Sequence, residues 1–144
     1  MEREIKFRAK IKAKDFRVKL AMAGKPKNEG EWTYGEVHLQ STIPHIHEGM
    51  DKYPIDVDTI GQFTGLKDKN GKEIYEGDIV KAPYLDPIFG GVVNNMFVNI
   101  VVGYNKDSFV LEYDGNLRVY ISDLYDNIEI IGNIYDNPEL LTEK

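Results

Sequence analysis

The chain contains three histidines, His38, His45 and His47, and the last two have a spacing that could bind a metal ion. His45 and His47 are two residues apart, so in an extended segment both side chains point to the same side. Two imidazoles with a carboxylate, such as that of Glu48 or Asp51, form a ligand set that zinc and similar divalent ions accept. The spacing also arises by chance, and the ordinary alternative is a group of solvent-exposed loop histidines. A metal-dependent enzyme that uses His45, His47 and a carboxylate is therefore the alternative function.

Other catalytic constellations are missing from the sequence. Cysteine is absent, which excludes thiolate nucleophiles, disulfides and every Cys-containing zinc site. None of the serines lies in a Gly-x-Ser-x-Gly turn, and there is no P-loop, Gly-x-Gly-x-x-Gly or His-Glu-x-x-His motif. The 24 acidic residues make many accidental pairs, so no carboxylate pair indicates acid–base chemistry. We predict a non-enzymatic protein without a cofactor.

The basic residues are concentrated near the N-terminus. Residues 1–27 hold ten Lys and Arg against three Asp and Glu, a net charge of +7. The remaining residues hold eight against twenty-one, a net charge of −13, and the sum is −6. Such an asymmetry fits a basic segment that binds an acidic partner, and it equally fits two oppositely charged parts of one fold.

The spacing of these cations predicts a β-strand over residues 5–14. Apolar residues occupy the odd positions and cations the even positions, and only a strand places two such sets on opposite faces. A lysine-lined edge strand resists aggregation, which is the plain structural explanation. The alternatives are phosphate contacts and an acidic protein partner. The candidate contact residues are Lys6, Arg8, Lys10, Lys12, Lys14, Arg17 and Lys19.

Most of the other segments also predict strands, because they are rich in aromatic and β-branched residues. Asn70-Gly71 predicts a tight type I′ turn between two of them. Residues 41–58 contain two prolines and a glycine without a clean period, and they predict an irregular connection with short extended pieces. With eight or nine strands, the chain is predicted to be all-β: a small antiparallel β-barrel or roll with SH3-like character and little helix. The predicted strands include residues 32–39, 60–66, 79–82, 98–104, 109–113, 117–121 and 128–135.

Four segments of the sequence resemble one protein family. The longest runs from Gly61 to Val80, and the others cover residues 4–9, 30–35 and 131–141. Together they are similar, in the expected order, to the YopX family of small proteins encoded by bacteriophages and prophages. One departure is Lys10, where family members often carry an aromatic residue. The resemblance implies a mostly β fold with a small barrel, and it carries over no catalytic residues, because the family is largely uncharacterised.

We expect residues 1–144 to form a single domain, with N-terminal strands and the irregular connection in 1–60 and the central hairpin and β-meander in 61–144. No apolar run is long enough to cross a bilayer, so the protein is predicted to be cytoplasmic in a bacterial host. The leading function is that of a phage or prophage accessory protein, a binding module for a protein or nucleic acid. Nucleic acid would contact the N-terminal cations. A protein partner would meet the same face or the loop from Ala82 to Met96.

Overall fold

The computed structural model describes residues 5–12, 27–40, 42–86, 88–89, 91–105, 108–113 and 117–141. This part of the chain contains eleven β-strands and four short 3-10 helices, and it contains no α-helix. The strands are β1 (Phe7–Lys10), β2 (Trp32–His38), β3 (His45–Glu48), β4 (Asp51–Pro54), β5 (Gly61–Lys67), β6 (Glu73–Tyr75), β7 (Asp78–Leu85), β8 (Val92–Asn105), β9 (Ser108–Tyr113), β10 (Leu117–Tyr120) and β11 (Glu129–Asn133). The 3-10 helices are Val57–Thr59, Ile121–Asp123, Tyr125–Asn127 and Pro138–Leu141. The predicted all-β class is confirmed as two antiparallel sheets.

The chain divides into two compact units, Met1–Phe63 and Thr64–Lys144. The division falls within β5. The single-domain organisation inferred from the sequence stays a prediction.

The first unit is an antiparallel sheet in the order β4-β3-β2-β1, with the start of β5 beside β1. The period of two has its predicted effect at Ala9 and Ile11, which are fully buried, but not at every position, because Ile5 is 70% exposed and Arg8 only 7%. β1 pairs with both β2 and β5, so the expectation of a lysine-lined edge strand is wrong. Ala9 joins Ile46 and Ile55 in one small apolar cluster, and Ile11 packs on Tyr53 in another. The strand predicted over residues 5–14 is shorter than expected, because β1 itself covers only Phe7–Lys10. The rest of the predicted strand from residue 13 onward lies outside the described residues.

The connection predicted to be irregular with short extended pieces contains two such pieces, β3 and β4, and they pair as a hairpin that the sequence did not predict. β3 pairs with β4 from His45↔Pro54 to Glu48↔Asp51. Gly49 forms the turn with a φ of 62°. Pro54 is tolerated because it ends the outermost strand of the sheet, where a missing backbone donor costs little. The sequence hides this hairpin because its strands are only four residues long.

The second unit contains a five-stranded sheet in the order β10-β9-β8-β7-β11. β8, β9 and β10 form the predicted meander, and the 3-10 helices at residues 121–127 lead into β11, which pairs with β7. Its core is the largest apolar cluster of the described residues. The cluster is formed by Ile74, Val80, Ala82, Leu85, Ile100, Val102, Phe109, Leu111, Tyr113, Ile121 and Ile128.

The hairpin between β5 and β6 lies where Asn70-Gly71 predicted it, but its turn differs from the predicted type I′. A type I′ turn needs a positive φ at both central residues. Gly71 has a φ of 83°, whereas Asn70 is not among the described residues with positive φ. The pair Asp68 and Lys72 closes the hairpin through a backbone hydrogen bond of 2.8 Å, so the loop contains three residues. A type I′ loop has two residues, and with the third residue present Asn70 does not need a positive φ.

Among the described residues, we find no helix whose length and apolar character would suffice to cross a membrane.

Candidate functional site

The three histidines lie together on one face of the β2–β3 hairpin. The strands pair with Glu36 opposite His47 and with His38 opposite His45. Side chains alternate between the faces of a strand, so these four residues share one face. The intervening Val37 and Ile46 point to the other face, where Ile46 is fully buried in the core. The apolar alternation of the hairpin therefore places the imidazoles on its outer side.

The distances within this histidine cluster (His38, His45 and His47) are short. His45 Nε2 lies 3.0 Å from His47 Nε2. The ring of His38 stacks on that of His45 at 5.1 Å between centroids, with an interplanar angle of 3°. His38 and His47 are 4.1 Å apart by the same measure. One ring nitrogen from each histidine lies within 4.8 Å of one from each of the other two.

Two hydrogen bonds define which nitrogens carry protons. His45 Nδ1 is 2.8 Å from the backbone oxygen of Ile43, and a carbonyl oxygen only accepts, so Nδ1 donates. His38 Nε2 is 3.1 Å from Glu36 Oε1, and an ionised carboxylate likewise only accepts. In their neutral forms, both rings therefore keep their second nitrogen as a lone-pair donor.

The electrostatics of the histidine cluster oppose protonation of His47. Desolvation lowers its pKa most, followed by the charges that His38 and His45 carry when protonated and by Lys52, which lies opposite His47 on β4. Glu36 acts in the reverse direction but does not outweigh them. A lowered pKa favours the neutral imidazole, which is the form that binds metal ions.

The two carboxylates named beside the histidines in the sequence bond elsewhere. Glu48 Oε1 accepts from Lys27 Nζ at 2.9 Å and from Thr33 Oγ1 at 2.8 Å. Burial by itself would raise the pKa of Glu48, but these donors and the backbone N–H of Tyr34 bring it below its usual value. Asp51 accepts from the hydroxyl of Tyr53 at 3.3 Å.

The carboxylate beside the histidines is instead that of Glu36. Neither the proximity of Glu36 nor the grouping of His38 with the other two histidines was predicted from the sequence. A strand pattern indicates which residues share a face of one strand, but it does not give the register between two strands. Glu36 and His38 could have been placed beside His45 and His47 only if residues 36–47 had been recognised as a hairpin.

Three of the predicted contact residues, Lys6, Arg8 and Lys10, lie beside aromatic rings; we call these cations and Lys12 the basic stripe. Lys6 Nζ is 5.1 Å from the ring centroid of Phe63. The guanidinium of Arg8 lies 4.5 Å from the Trp32 centroid, and Lys10 Nζ lies 5.5 Å from the same centroid. These distances are in the range of cation–π interactions.

Exposure differs along the stripe. Arg8 is only 7% exposed, Lys6 and Lys10 are half-buried, and Lys12 is exposed. The remaining predicted contact residues lie outside the described residues: Lys14, Arg17 and Lys19.

The tip of the β7–β8 hairpin exposes a group of large apolar side chains. We call Ile88, Phe89, Val92, Met96 and Phe97 the apolar tip; their exposed fractions are 81%, 86%, 57%, 49% and 55%. Residues 87–105 contain no charged side chain at all. This surface lies partly within the predicted loop from Ala82 to Met96, and the structure shows that much of that loop is strand.

Two local features shape the apolar tip. Asp86 Oδ1 accepts from the backbone N–H groups of Ile88 at 2.8 Å and Phe89 at 3.2 Å. Pro83 pairs with Phe97, and Leu85 pairs with Val92. Between these two pairs, β7 has one residue, Tyr84, whereas β8 has the four residues 93–96, which form a bulge. Asn95 has a φ of 64° within this bulge, an uncommon conformation that asparagine tolerates better than most residues.

A groove of about 930 Å³ continues from the apolar tip over β7, β8 and β9. Phe97 belongs to both surfaces, and Tyr104 and Leu141 line the groove with exposed fractions of 49% and 41%. Tyr113 anchors the groove, since its hydroxyl donates to the backbone oxygen of Pro83 at 2.9 Å. Burial raises the pKa of Tyr113 to about 12, so this donor stays protonated at neutral pH.

Comparisons with known proteins give a family and a fold. The family model described as YopX protein matches residues 6–142. The crystal structure of protein EF1440 from Enterococcus faecalis is similar, with a TM-score of 0.51 and 25% sequence identity; the match covers 97% of this chain and 99% of that one. No curated protein matches the sequence.

Proposed function

We propose that this chain, which belongs to the YopX protein family, is a non-enzymatic module that binds another protein through the β7–β8 hairpin. The exposed apolar tip carries the proposal, because Ile88 and Phe89 are more than four-fifths exposed. Leaving such side chains in water is unfavourable, and large apolar patches on soluble proteins often mark interaction sites. The phage or prophage origin and the bacterial cytoplasm belong to the same proposal and rest on the family resemblance.

The composition of the hairpin supports a protein partner. The core of a protein interface is depleted in charge and enriched in aromatic residues and Met, and residues 87–105 have this character. The apolar tip exposes an area on the order of several hundred Å², comparable to the largest patches on ordinary monomers. We therefore expect the partner to present an apolar, uncharged surface.

The partner is a different protein rather than a second copy. At neutral pH, the net charge of −6 makes two copies repel each other. The hydrogen bonds that Asp86 accepts from Ile88 and Phe89 support the proposal further, since contacts already formed in the free protein reduce the conformational freedom lost on binding.

The test combines capture, reconstitution and substitution. A partner captured from the producing bacterium is purified and titrated against wild type and against the double variant Ile88→Ser, Phe89→Ser. Because buried aromatic anchors often contribute 2 kcal/mol or more, we expect the affinity of the variant to fall by about 30-fold or more.

Tyr125→Ser is the matched control, since Tyr125 is also exposed at 36% but lies away from the hairpin in sequence and strand order. Its affinity should equal that of wild type. Equal binding by the double variant, with circular dichroism that shows an intact fold, would contradict the proposal. Association of the purified chain with itself at neutral pH would identify a second copy as the occupant and would equally contradict it.

Nucleic-acid binding is a second candidate function, favoured by one observation. Lys6, Arg8 and Lys10 lie beside the rings of Phe63 and Trp32. Single-strand binding proteins combine cations with aromatic platforms in this manner. The low exposure of Arg8 makes this candidate weaker than the hairpin.

For the fold, we propose that the second unit is a small SH3-like roll. Its strand order places the last strand, β11, beside β7, the first strand of the sheet, and a 3-10 helix precedes β11. This connectivity is similar to that of SH3-like barrels, although the described strands form an open sheet that ends at β10 and β11. It supports the barrel inferred from the sequence, and in this arrangement the β7–β8 hairpin connects the first two strands of the roll.

A further inference from the structure

We propose that His38, His45 and His47 bind one divalent transition-metal ion of the zinc class. This inference does not rest on the proposed protein-binding function, because it concerns a different hairpin. It also differs from a two-histidine site with Glu48 or Asp51, since the third ligand is a histidine from the neighbouring strand.

The spacing of the ring nitrogens suits an ion. Two nitrogens bound to a tetrahedral zinc at about 2.0–2.1 Å are about 3.3 Å apart. His45 Nε2 and His47 Nε2 are 3.0 Å apart, so a small ring movement brings both to bonding distance. His38 lies opposite His45 in the register, and one of its ring nitrogens is within 4.8 Å of a ring nitrogen of each of the other two.

The hydrogen bonds around the rings are those of a metal site. In such sites, each histidine commonly donates its outer N–H to a backbone carbonyl or a carboxylate. His45 donates from Nδ1 to the oxygen of Ile43, and His38 donates from Nε2 to Glu36. Nε2 of His45 and Nδ1 of His38 therefore remain for the ion.

Metal binding changes the position of the proton that lies between His45 and His47. Two ring nitrogens 3.0 Å apart cannot both present lone pairs to each other, so a proton lies between them. When the ion bonds to both Nε2 atoms, this proton moves to Nδ1 of His47, and all three rings are neutral. The ion then supplies the only positive charge among the three nitrogens, and the carboxylate of Glu36 partly balances it.

The ligand chemistry selects the metal. Imidazole suits Zn²⁺, Cu²⁺ and Ni²⁺, whereas Mg²⁺ prefers oxygen ligands. Three protein ligands leave a fourth position of a tetrahedral ion for water or for another ligand. The hairpin positions the rings, because Val37 and Ile46 hold its other face against the apolar core.

The experiment uses the untagged full chain and titrates it with ZnCl2. All three histidines of the chain belong to the cluster, so the imidazole proton signals in NMR report on this site alone. We expect all three signals to shift together and to saturate at one zinc per chain. MgCl2 should leave them unchanged. Signals that do not move with zinc at up to a tenfold excess would overturn the proposal.

Substitutions identify the ligands by isothermal titration with ZnCl2. His45→Gln and His47→Gln should each lower the zinc affinity by more than 100-fold, because each removes a ligand. Glu36→Gln should lower it about 10- to 100-fold, as expected for a residue that positions a ligand. Glu29→Gln is the matched control, since it removes an exposed carboxylate from the same unit and should leave the affinity unchanged.

Two outcomes of the substitutions would overturn the proposal. One is a wild-type zinc affinity in His45→Gln, and the other is an equal loss of affinity in Glu29→Gln and Glu36→Gln. Thermal unfolding in EDTA is measured for each variant, so that a loss of zinc binding is not confused with a loss of the fold. Glu36→Gln and the NMR titration of wild type remain informative if a histidine variant fails to fold.

Discussion

At the scale of single residues, Asp68 shows how one buried carboxylate organises the second unit. Its Oδ1 accepts from the backbone N–H groups of Asn70 at 2.9 Å and Lys72 at 3.0 Å, within the β5–β6 loop. Its Oδ2 accepts from the N–H of Ile130 in β11 at 2.9 Å, 62 residues away. Asp68 thereby connects a local turn to a distant strand.

The same contacts determine the charge of Asp68. Burial would raise its pKa, but the N–H donors of Ile130, Lys72 and Asn70, together with the charge of Lys72, lower it below the usual value. A folded-state pKa below the unfolded value, about 3.9, stabilises the protein above that pH. This stabilisation is lost as the pH falls through the folded-state pKa.

We predict that Asp68→Asn lowers the free energy of unfolding at pH 7 by about 1–3 kcal/mol, the usual range for hydrogen bonds to a charged group. The difference between wild type and variant should shrink below about pH 4, because the unfolded chain takes up a proton at Asp68 there, whereas the folded protein does so only at a lower pH. Urea unfolding at pH 7 and pH 3 measures both effects.

Asp123→Asn is the control for Asp68→Asn, because Asp123 is exposed in the same unit. Its effect should stay within about 0.5 kcal/mol. A wild-type stability of Asp68→Asn at pH 7 would contradict the prediction.

At the scale of elements, Gly35 and Gly71 show two different reasons for a glycine. Gly71 is in the β5–β6 loop with a φ of 83°, and a methyl group there would meet nothing within 4 Å. Gly35 is in β2 with a φ of 152°, and a methyl group there would collide with the backbone carbonyl oxygen of His47. Glycine is needed at position 71 for its positive φ, whereas glycine at position 35 permits the close approach of β2 and β3.

We predict that Gly71→Ala costs about 1–2 kcal/mol, the cost of a left-handed conformation for an alanine. Gly35→Ala should cost more, by a further 1–3 kcal/mol, because the strands must separate. Urea unfolding of the two variants makes the comparison.

Gly35→Ala should also change the pairing that places Glu36 opposite His47. Its histidine NMR signals should therefore shift, whereas those of Gly71→Ala should match wild type. Equal stabilities for the two variants would show that the contact with His47 does not constrain β2.

At the scale of the whole molecule, the distribution of charge matters more than its sum. The chain has a net charge of −6, but residues 1–27 carry +7. A nucleic acid would meet this segment, whereas an apolar protein partner would meet the uncharged residues 87–105. The two candidate functions therefore use different parts of the chain and can be separated by experiment.

If the basic segment binds nucleic acid, the affinity for a labelled single-stranded oligonucleotide should fall steeply between 50 and 200 mM salt. Lys10→Glu combined with Lys12→Glu should weaken binding for every sequence tested, because phosphate contacts do not read bases. Fluorescence anisotropy measures both effects.

The double variant Ile88→Ser, Phe89→Ser is the control for the oligonucleotide titration, and it should bind like wild type. Absence of binding at tens of micromolar protein and low salt would remove nucleic acid as a candidate.

The β class, most strands and the location of the β5–β6 hairpin could be predicted from the amino-acid sequence. These features depend on local patterns: alternation over a few residues decides which side of a strand is buried, as Ala9 and Ile11 show. Turn residues such as Gly71 mark where the chain reverses. The family could also be recognised from the sequence, because its segments follow one another along the chain.

Which side chains contact one another depends on the folded structure and could not be predicted from the sequence. His38 faces His45 because β2 and β3 pair in one register, and a shift by a single residue would place them on opposite faces. Asp68 reaches Ile130 because the second unit brings β11 beside its loop. Register and long-range packing depend on the summed burial of many residues. The chemistry of the histidine cluster therefore could be suspected from the sequence, but its third ligand and its carboxylate could not.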